Sequence, residues 1–135
     1  MRSAAYVGSE ISEFVIRNYV QWERRGSTGQ VLGEREMDGT VNAQVNSGSS
    51  ILFINGNRAA RLGDTTYETV DSERPEGSGW DRLTPYSGRG TITGGVSGKV
   101  FIEGIPLALV NSTVSTHVGE EKPLISGSNT FFVSS

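Results

Sequence analysis

The sequence predicts an all-β fold, with short hairpins arranged around a pseudo-threefold axis. Three observations carry that expectation. Glycine supplies 18 of 135 residues, about 13% against a norm near 7%. Short apolar runs alternate with small-residue turns. One sequence unit recurs three times, with one copy divided between the two ends of the chain. At this length one domain, residues 1–135, is expected. Low charge and abundant glycine point to a turn-rich β domain rather than a disordered chain.

The repeat is clearest between Leu52–Asp64 (LFINGNRAARLGD) and Val100–Ser112 (VFIEGIPLALVNS), which align without gaps at an offset of 48. Phe53/Phe101, Ile54/Ile102, Gly56/Gly104 and Ala60/Ala108 are identical. A third front half, Gly127–Val133, matches Gly48–Ile54. A third back half, Ala4–Ser9, matches Ala59–Asp64. A cyclic arrangement follows, in which the last strand completes the first unit.

Each unit reads in order as a serine–glycine turn, an apolar strand (Ile51–Ile54 in the first full copy), a tight reversal, a second strand and a closing turn. Gly56 or Gly104 supplies the reversal, where positive φ costs little. The second strand is expected over Ala59–Leu62 or Leu107–Val110, and Gly63-Asp64 or Asn111-Ser112 closes the unit. A lone hairpin of this size is marginal in water. Three of them are expected to share a core of Leu52, Phe53, Ile54, Val100, Phe101, Ile102, Phe131, Phe132 and Val133.

Two stretches lie outside the repeat. In residues 13–38, Phe14, Ile16, Val20 and Trp22 alternate as in a strand, while Ile11, Val15, Tyr19 and Trp22 also fit a helical face. The β-branched and aromatic content favours a strand, with a turn at Gly26–Gly29 and a return strand over Gln30–Glu34. This makes an inserted β-hairpin arm. Residues 69–89 are polar and rich in Gly, Ser and Pro, so a long surface loop is expected. Within it, Trp80 and Tyr86 either dock on the repeat body or face a partner.

Composition excludes several functions. The net charge is −3, and the only basic cluster is Arg24-Arg25, so the basic stripe of a nucleic-acid binder is missing. No apolar run reaches the ~18 residues that span a bilayer. The N-terminal MRSAAYVGSE lacks an apolar signal region, so synthesis in the cytoplasm is expected. Without cysteine there are no thiolate nucleophiles or cysteine–zinc sites, and with one histidine there are no paired-histidine motifs.

Gly88-Arg89-Gly90 with Gly94 is not a dinucleotide fingerprint, because no helix pattern follows it. Asn111-Ser112-Thr113 is a formal glycosylation sequon on a repeat turn. Glu34/Glu36 and Glu120/Glu121 sit among polar neighbours and read as solvated. His117 has no accompanying nucleophile motif. No catalytic residues and no cofactor are expected, and the chain is not read as an enzyme.

The stretch Asn55-Gly56-Asn57-Arg58-Ala59-Ala60-Arg61-Leu62-Gly63-Asp64 resembles the signature of the proline-alanine-alanine-arginine (PAAR) repeat family, with Arg58 in the proline place. Pro106-Leu107-Ala108-Leu109 keeps the proline, and Ser3-Ala4-Ala5-Tyr6 keeps both alanines. The signature positions are therefore Asn55, Gly56, Ala59, Ala60, Arg61, Gly63, Asp64, Gly104, Pro106 and Ala108.

The resemblance implies a small β cone that caps and sharpens the trimeric β-helical spike of a contractile injection machine. Such machines include phage tails, type VI secretion systems and related particles. It implies one cap per spike trimer, neighbouring tail or effector proteins as further partners, contact with a target membrane during penetration, and a place at the tip of a virion tail or secreted particle. A tail-associated cell-wall hydrolase and an adaptor for a separate toxin are the alternative classes.

Family members often hold a metal near the cone tip with three histidines and a cysteine, mainly in the turns after the glycine–aspartate pair. In this chain those turns carry glutamates, and His117 is the only residue of the usual ligand type. No structural zinc and no other metal are expected. A Glu13/Glu68/His117 cluster suited to iron or another transition ion is the open alternative.

Overall fold

Two-residue turns organise the repeat hairpins. Asn55 (φ 53°) and Gly56 (φ 82°) are both left-handed, as are Glu103 (φ 53°) and Gly104 (φ 81°). This is the turn whose twist matches a right-handed β-hairpin. It sets Ile54 opposite Asn57 and Ile102 opposite Ile105. The structure is a computed structural model that describes residues 1–134.

Among the described residues there are thirteen strands and no helix. They are β1 (Arg2–Ser3), β2 (Phe14–Arg25), β3 (Val31–Val45), β4 (Phe53–Ile54), β5 (Asn57–Arg58), β6 (Thr65–Asp71), β7 (Trp80–Arg82), β8 (Ser87–Gly94), β9 (Phe101–Ile102), β10 (Ile105–Pro106), β11 (Thr113–Ser115), β12 (Glu121–Pro123) and β13 (Phe132–Val133). The fold is all-β.

The chain divides into two compact units. The first holds Met1–Ser12, Asn42–Glu68 and the chain from Gly88 onward, and the second holds Glu13–Val41 and Thr69–Ser87. The second unit therefore begins and ends within three residues of the two stretches that lie outside the repeat.

In the first unit, β4 pairs with β5 and β9 with β10. The third hairpin is built from the chain ends: Arg2 pairs with Val133 and Ser3 with Phe132. The expected second strands, Ala59–Leu62 and Leu107–Val110, do not form within their own hairpins. Only Asn57-Arg58 and Ile105-Pro106 return within their own hairpin. The following residues cross to neighbouring units, through the bridges Tyr6↔Ala59, Arg61↔Leu107 and Ala4↔Leu109. The tight turn uses up the local partner after two residues, so the next backbone groups pair with the next repeat.

These bridges close into a ring. The Ala5 amide donates to Ala108 O (2.9 Å), Ala108 to Ala60 O (2.9 Å) and Ala60 to Ala5 O (3.0 Å). The pseudo-threefold axis passes through this cycle. All three alanines are fully buried. Around the ring, Ala4, Ile54, Ala59, Ile102, Leu107, Leu109 and Val133 form one core, with Tyr6, Leu52, Val100 and Phe131 packed against it.

The expected core needs one correction. Ile54, Ile102 and Val133 are buried, but Phe53, Phe101 and Phe132 are 54%, 54% and 48% exposed. Successive strand residues point to opposite faces, so each two-residue strand sends one side chain in and the other out. Sequence similarity alone gave both the same status. Phe131 lies partly buried against the core. Beyond the hairpins, β12, β11, β8 and β6 follow one another as hydrogen-bonded neighbours, with a register shift between Thr113 and Val114 of β11.

In the second unit, β3, β2 and β7 are antiparallel neighbours, and the helical reading of residues 13–38 fails. A register shift between Ile16 and Val20 explains the broken alternation. Asn18 adopts φ 55° there, and its amide donates to Asp38 Oδ1 at 3.0 Å. The stretch 69–89 is only partly loop, since β6 runs to Asp71, β7 lies within the stretch and β8 begins at Ser87. Trp80 is buried, with its indole N–H donating to Glu76 O (3.0 Å). Tyr86 is exposed beneath the Arg82 guanidinium, 4.1 Å from its ring centroid.

Candidate functional site

Each repeat positions its outward phenylalanine with the same set of bonds. The buried hydroxyls of Ser49, Ser97 and Ser128 each accept two amides: Ile51 and Leu52 (both 3.1 Å), Lys99 and Val100 (3.1 and 3.0 Å), and Thr130 and Phe131 (3.1 and 2.9 Å). Serine hydroxyls satisfy turn amides in this way. The same three serines donate their own amides to Ala59 O, Leu107 O and Ala4 O, all at 2.8 Å. The strand before each phenylalanine is thus tied to the axis by identical bonds in all three copies.

The closing turns repeat as well. Ser9 Oγ accepts from Tyr6 N (3.0 Å), Asp64 Oδ2 from Arg61 N (2.7 Å) and Ser112 Oγ from Leu109 N (2.8 Å). Arg61 Nε also reaches Asp64 Oδ2 at 3.3 Å. Gly8, Gly63 and Asn111 take positive φ at matching places, so asparagine fills a glycine position in the third turn.

The signature residues are therefore structural. Asn55 and Gly56 make the turn. Ala60 and Ala108 join the amide cycle at the axis, Ala59 lies in the core around it, Arg61 pairs with Asp64, and Gly63 takes its left-handed turn position. Gly104 and Pro106 shape the second hairpin. Asn55 also joins two repeats, because its side-chain oxygen accepts from Ser128 Oγ (2.9 Å) and Thr130 Oγ1 (3.1 Å).

The outcome is a face with threefold character. Phe53, Phe101 and Phe132 occupy equivalent positions in three hairpins about one axis, at nearly equal exposure. A single exposed phenylalanine is ordinary on a protein surface. These three recur at one position of the repeat, at 54%, 54% and 48% exposure.

No family model, no curated protein and no solved structure matches this chain.

A second cluster gathers residues that the sequence marked separately. Glu68 is fully buried in β6, and its Oε1 accepts from the His117 backbone amide (2.8 Å) and from His117 Nδ1 (2.5 Å). Oε2 accepts from Thr66 Oγ1 at 2.7 Å. Glu13 does not join them: it belongs to the second unit, and no group of three His, Cys, Asp or Glu side chains comes together among the described residues. The turns after Asp64 and Ser112 do converge, and the third turn does not complete a ligand set.

The sequence did not reveal what Gly88 and Gly90 do. A Cβ on Gly88 would lie 2.3 Å from His117 Cδ2, and one on Gly90 would lie 2.1 Å from Glu68 Oε2. The Gly-Arg-Gly motif forms the slot for the imidazole and the carboxylate. Two glycines spaced two apart in a strand were the available signal, since they clear one face of it. Glu34, Glu36, Glu120 and Glu121 are exposed, as their polar neighbours suggested.

Proposed function

We propose that this chain is a non-catalytic cap on the blunt end of a trimeric β-helical spike, the role implied by its PAAR-like repeats. The observation that carries this reading is the Ala5–Ala60–Ala108 amide cycle in a single polypeptide. It produces a pseudo-threefold face from one chain, with one outward phenylalanine per third. A trimeric β-helix ends in three symmetric sets of unpaired strand edges, which are aggregation-prone when left open. A cap whose three sides are alike satisfies all three at once under the partner's threefold symmetry.

In this reading each hairpin rests on one protomer of the spike, and the phenylalanines are the apolar anchors of the contact. The side chains opposite them, Arg58, Pro106 and Ser3, differ among the three hairpins. Because the spike's own ends are identical, those differences select no protomer, and the three orientations of the cap are equivalent. The protein is made in the cytoplasm and assembled at the tip of a tail or injection particle, where it meets the target membrane. The phage-tail and type VI settings are equally compatible with this face.

The test is stoichiometry. Light scattering of the chain mixed with a trimeric β-helical spike fragment is expected to give one cap per trimer, with the cap alone monomeric. A 3:3 complex, or a stable homotrimer of the cap, contradicts the reading.

A further inference from the structure

The resemblance implies a metal held by the turns that follow each glycine–aspartate pair, and the donors of this chain do not fit one. Zinc in a closed structural site takes four ligands. Here two turns supply a single carboxylate and a single imidazole, and those groups are bonded to each other. Both oxygens of Glu68 are occupied, Oε1 by two N–H donors from His117 and Oε2 by the Thr66 hydroxyl. Space on the β8 side is filled as well, since not even a Cβ fits at Gly88 or Gly90 beside the pair.

We propose that Thr66, Glu68 and His117, seated over Gly88 and Gly90, form a metal-free clasp that does the joining work of an ion. The clasp is a connected set of bonds. The Gly90 amide donates to Thr66 Oγ1 (3.1 Å), and the Thr66 hydroxyl donates to Glu68. Glu68 in turn receives both the backbone and the ring of His117. A carboxylate acceptor requires the proton on His117 Nδ1, so the ring is held in one tautomer. His117 begins a turn that Thr116 closes on Glu120, with amide and hydroxyl bonds to Glu120 O of 2.9 and 2.6 Å.

Two strands, β6 and β8, and the turn that begins at His117 are thereby joined around a single buried carboxylate. A buried carboxylate is tolerated only when it is hydrogen-bonded, and both oxygens of Glu68 are. The bonding of the clasp does not depend on the spike reading, and its test uses the isolated chain. Its failure would leave the cap stoichiometry untouched.

The experiment combines metal analysis, melting and amide exchange on the purified chain, Glu68→Gln, His117→Gln and the double variant. The expected wild-type result is far less than one transition-metal ion per chain, and a melting temperature unmoved by EDTA or added zinc. Glu68→Gln is expected to lower the melting temperature by about 10 °C, since it turns one oxygen of a buried, fully bonded acceptor into a donor. The double variant is expected to fall little further than the worse single variant, because both remove one interaction. If Glu68→Gln does not fold, His117→Gln decides the matter by exchange. Amides of His117, Gly119 and Glu120 are expected to exchange at least about tenfold faster, with Ala60 and Ala108 unchanged. About one ion per chain, a melting temperature that falls with chelator, additive single effects, or unchanged exchange at 117–120 would each overturn the clasp.

Discussion

Changing the inward and outward members of the three hairpins separates folding from docking. Ile54 is 2% exposed and its neighbour Phe53 is 54% exposed. Ile54→Ala removes a fully buried side chain, which costs about 2–5 kcal/mol. Phe53→Ala gives up only about half of a ring's burial, so about 1–2 kcal/mol is expected. For a chain of this size roughly 4 °C of melting temperature accompanies each kcal/mol. The inward variant is then expected to melt about 8–20 °C lower, and the outward one about 4–8 °C lower.

The order reverses in binding. Each ring keeps about 100 Å² uncovered, worth about 2 kcal/mol if docking buries it. Phe53→Ala, Phe101→Ala and Phe132→Ala are each expected to weaken the cap–spike complex about 30-fold. Calorimetric melts and titration against a trimeric spike fragment read the two effects independently. Outward variants that unfold as readily as inward ones would refute the in/out assignment. Outward variants that bind as tightly as wild type would refute the docking face.

Two further predictions follow from the hairpins. Joining Val133 to Arg2 through Asn-Gly, with new ends opened in residues 73–78, reproduces the Ile54-Asn55-Gly56-Asn57 connection. The permutant is expected to melt at or above the wild-type temperature, and an unfolded permutant by circular dichroism would contradict the third hairpin. Glu103→Asn is expected to stabilise by about 0.5–1 kcal/mol in denaturant titration, because asparagine tolerates a φ of 53° better than glutamate. The exposed 4.0 Å contact of Glu103 with Arg61 contributes little against that gain, and a net loss of stability would show that it matters more.

The repeat made much of the first unit readable. Paired glycines, serines and alanines at fixed spacing located the turns, the axis and the hairpin completed by the chain ends. Phe53, Phe101 and Phe132 were misplaced for a definite reason. In a strand of two residues there is no alternation to read, so hydrophobicity alone put both neighbours inside. The crossing of Ala59–Arg61 to other repeats was hidden because local sequence cannot say where a strand's partner lies. Glu68 and His117 stood out by residue type. Their bond was not legible, since it depends on two glycines in a third strand. The arm was visible through Val20 and Trp22, while the bulge at Asn18 blurred its period.

The hairpin made by β1 and β13 has a consequence for biosynthesis. Residues 2 and 3 leave the ribosome long before their partners, residues 132 and 133. Until those emerge, the Ala4 amide has no Phe131 carbonyl, and one third of the apolar centre stays open to water. Such distant closure is the slow, late kind of contact. Folding of the first unit is therefore completed only once residue 133 has emerged. A chain cut short before residue 132 keeps every earlier hairpin and still presents an unfinished surface to chaperones and proteases. The joint between β1 and β13 thus doubles as a check that translation has passed residue 133.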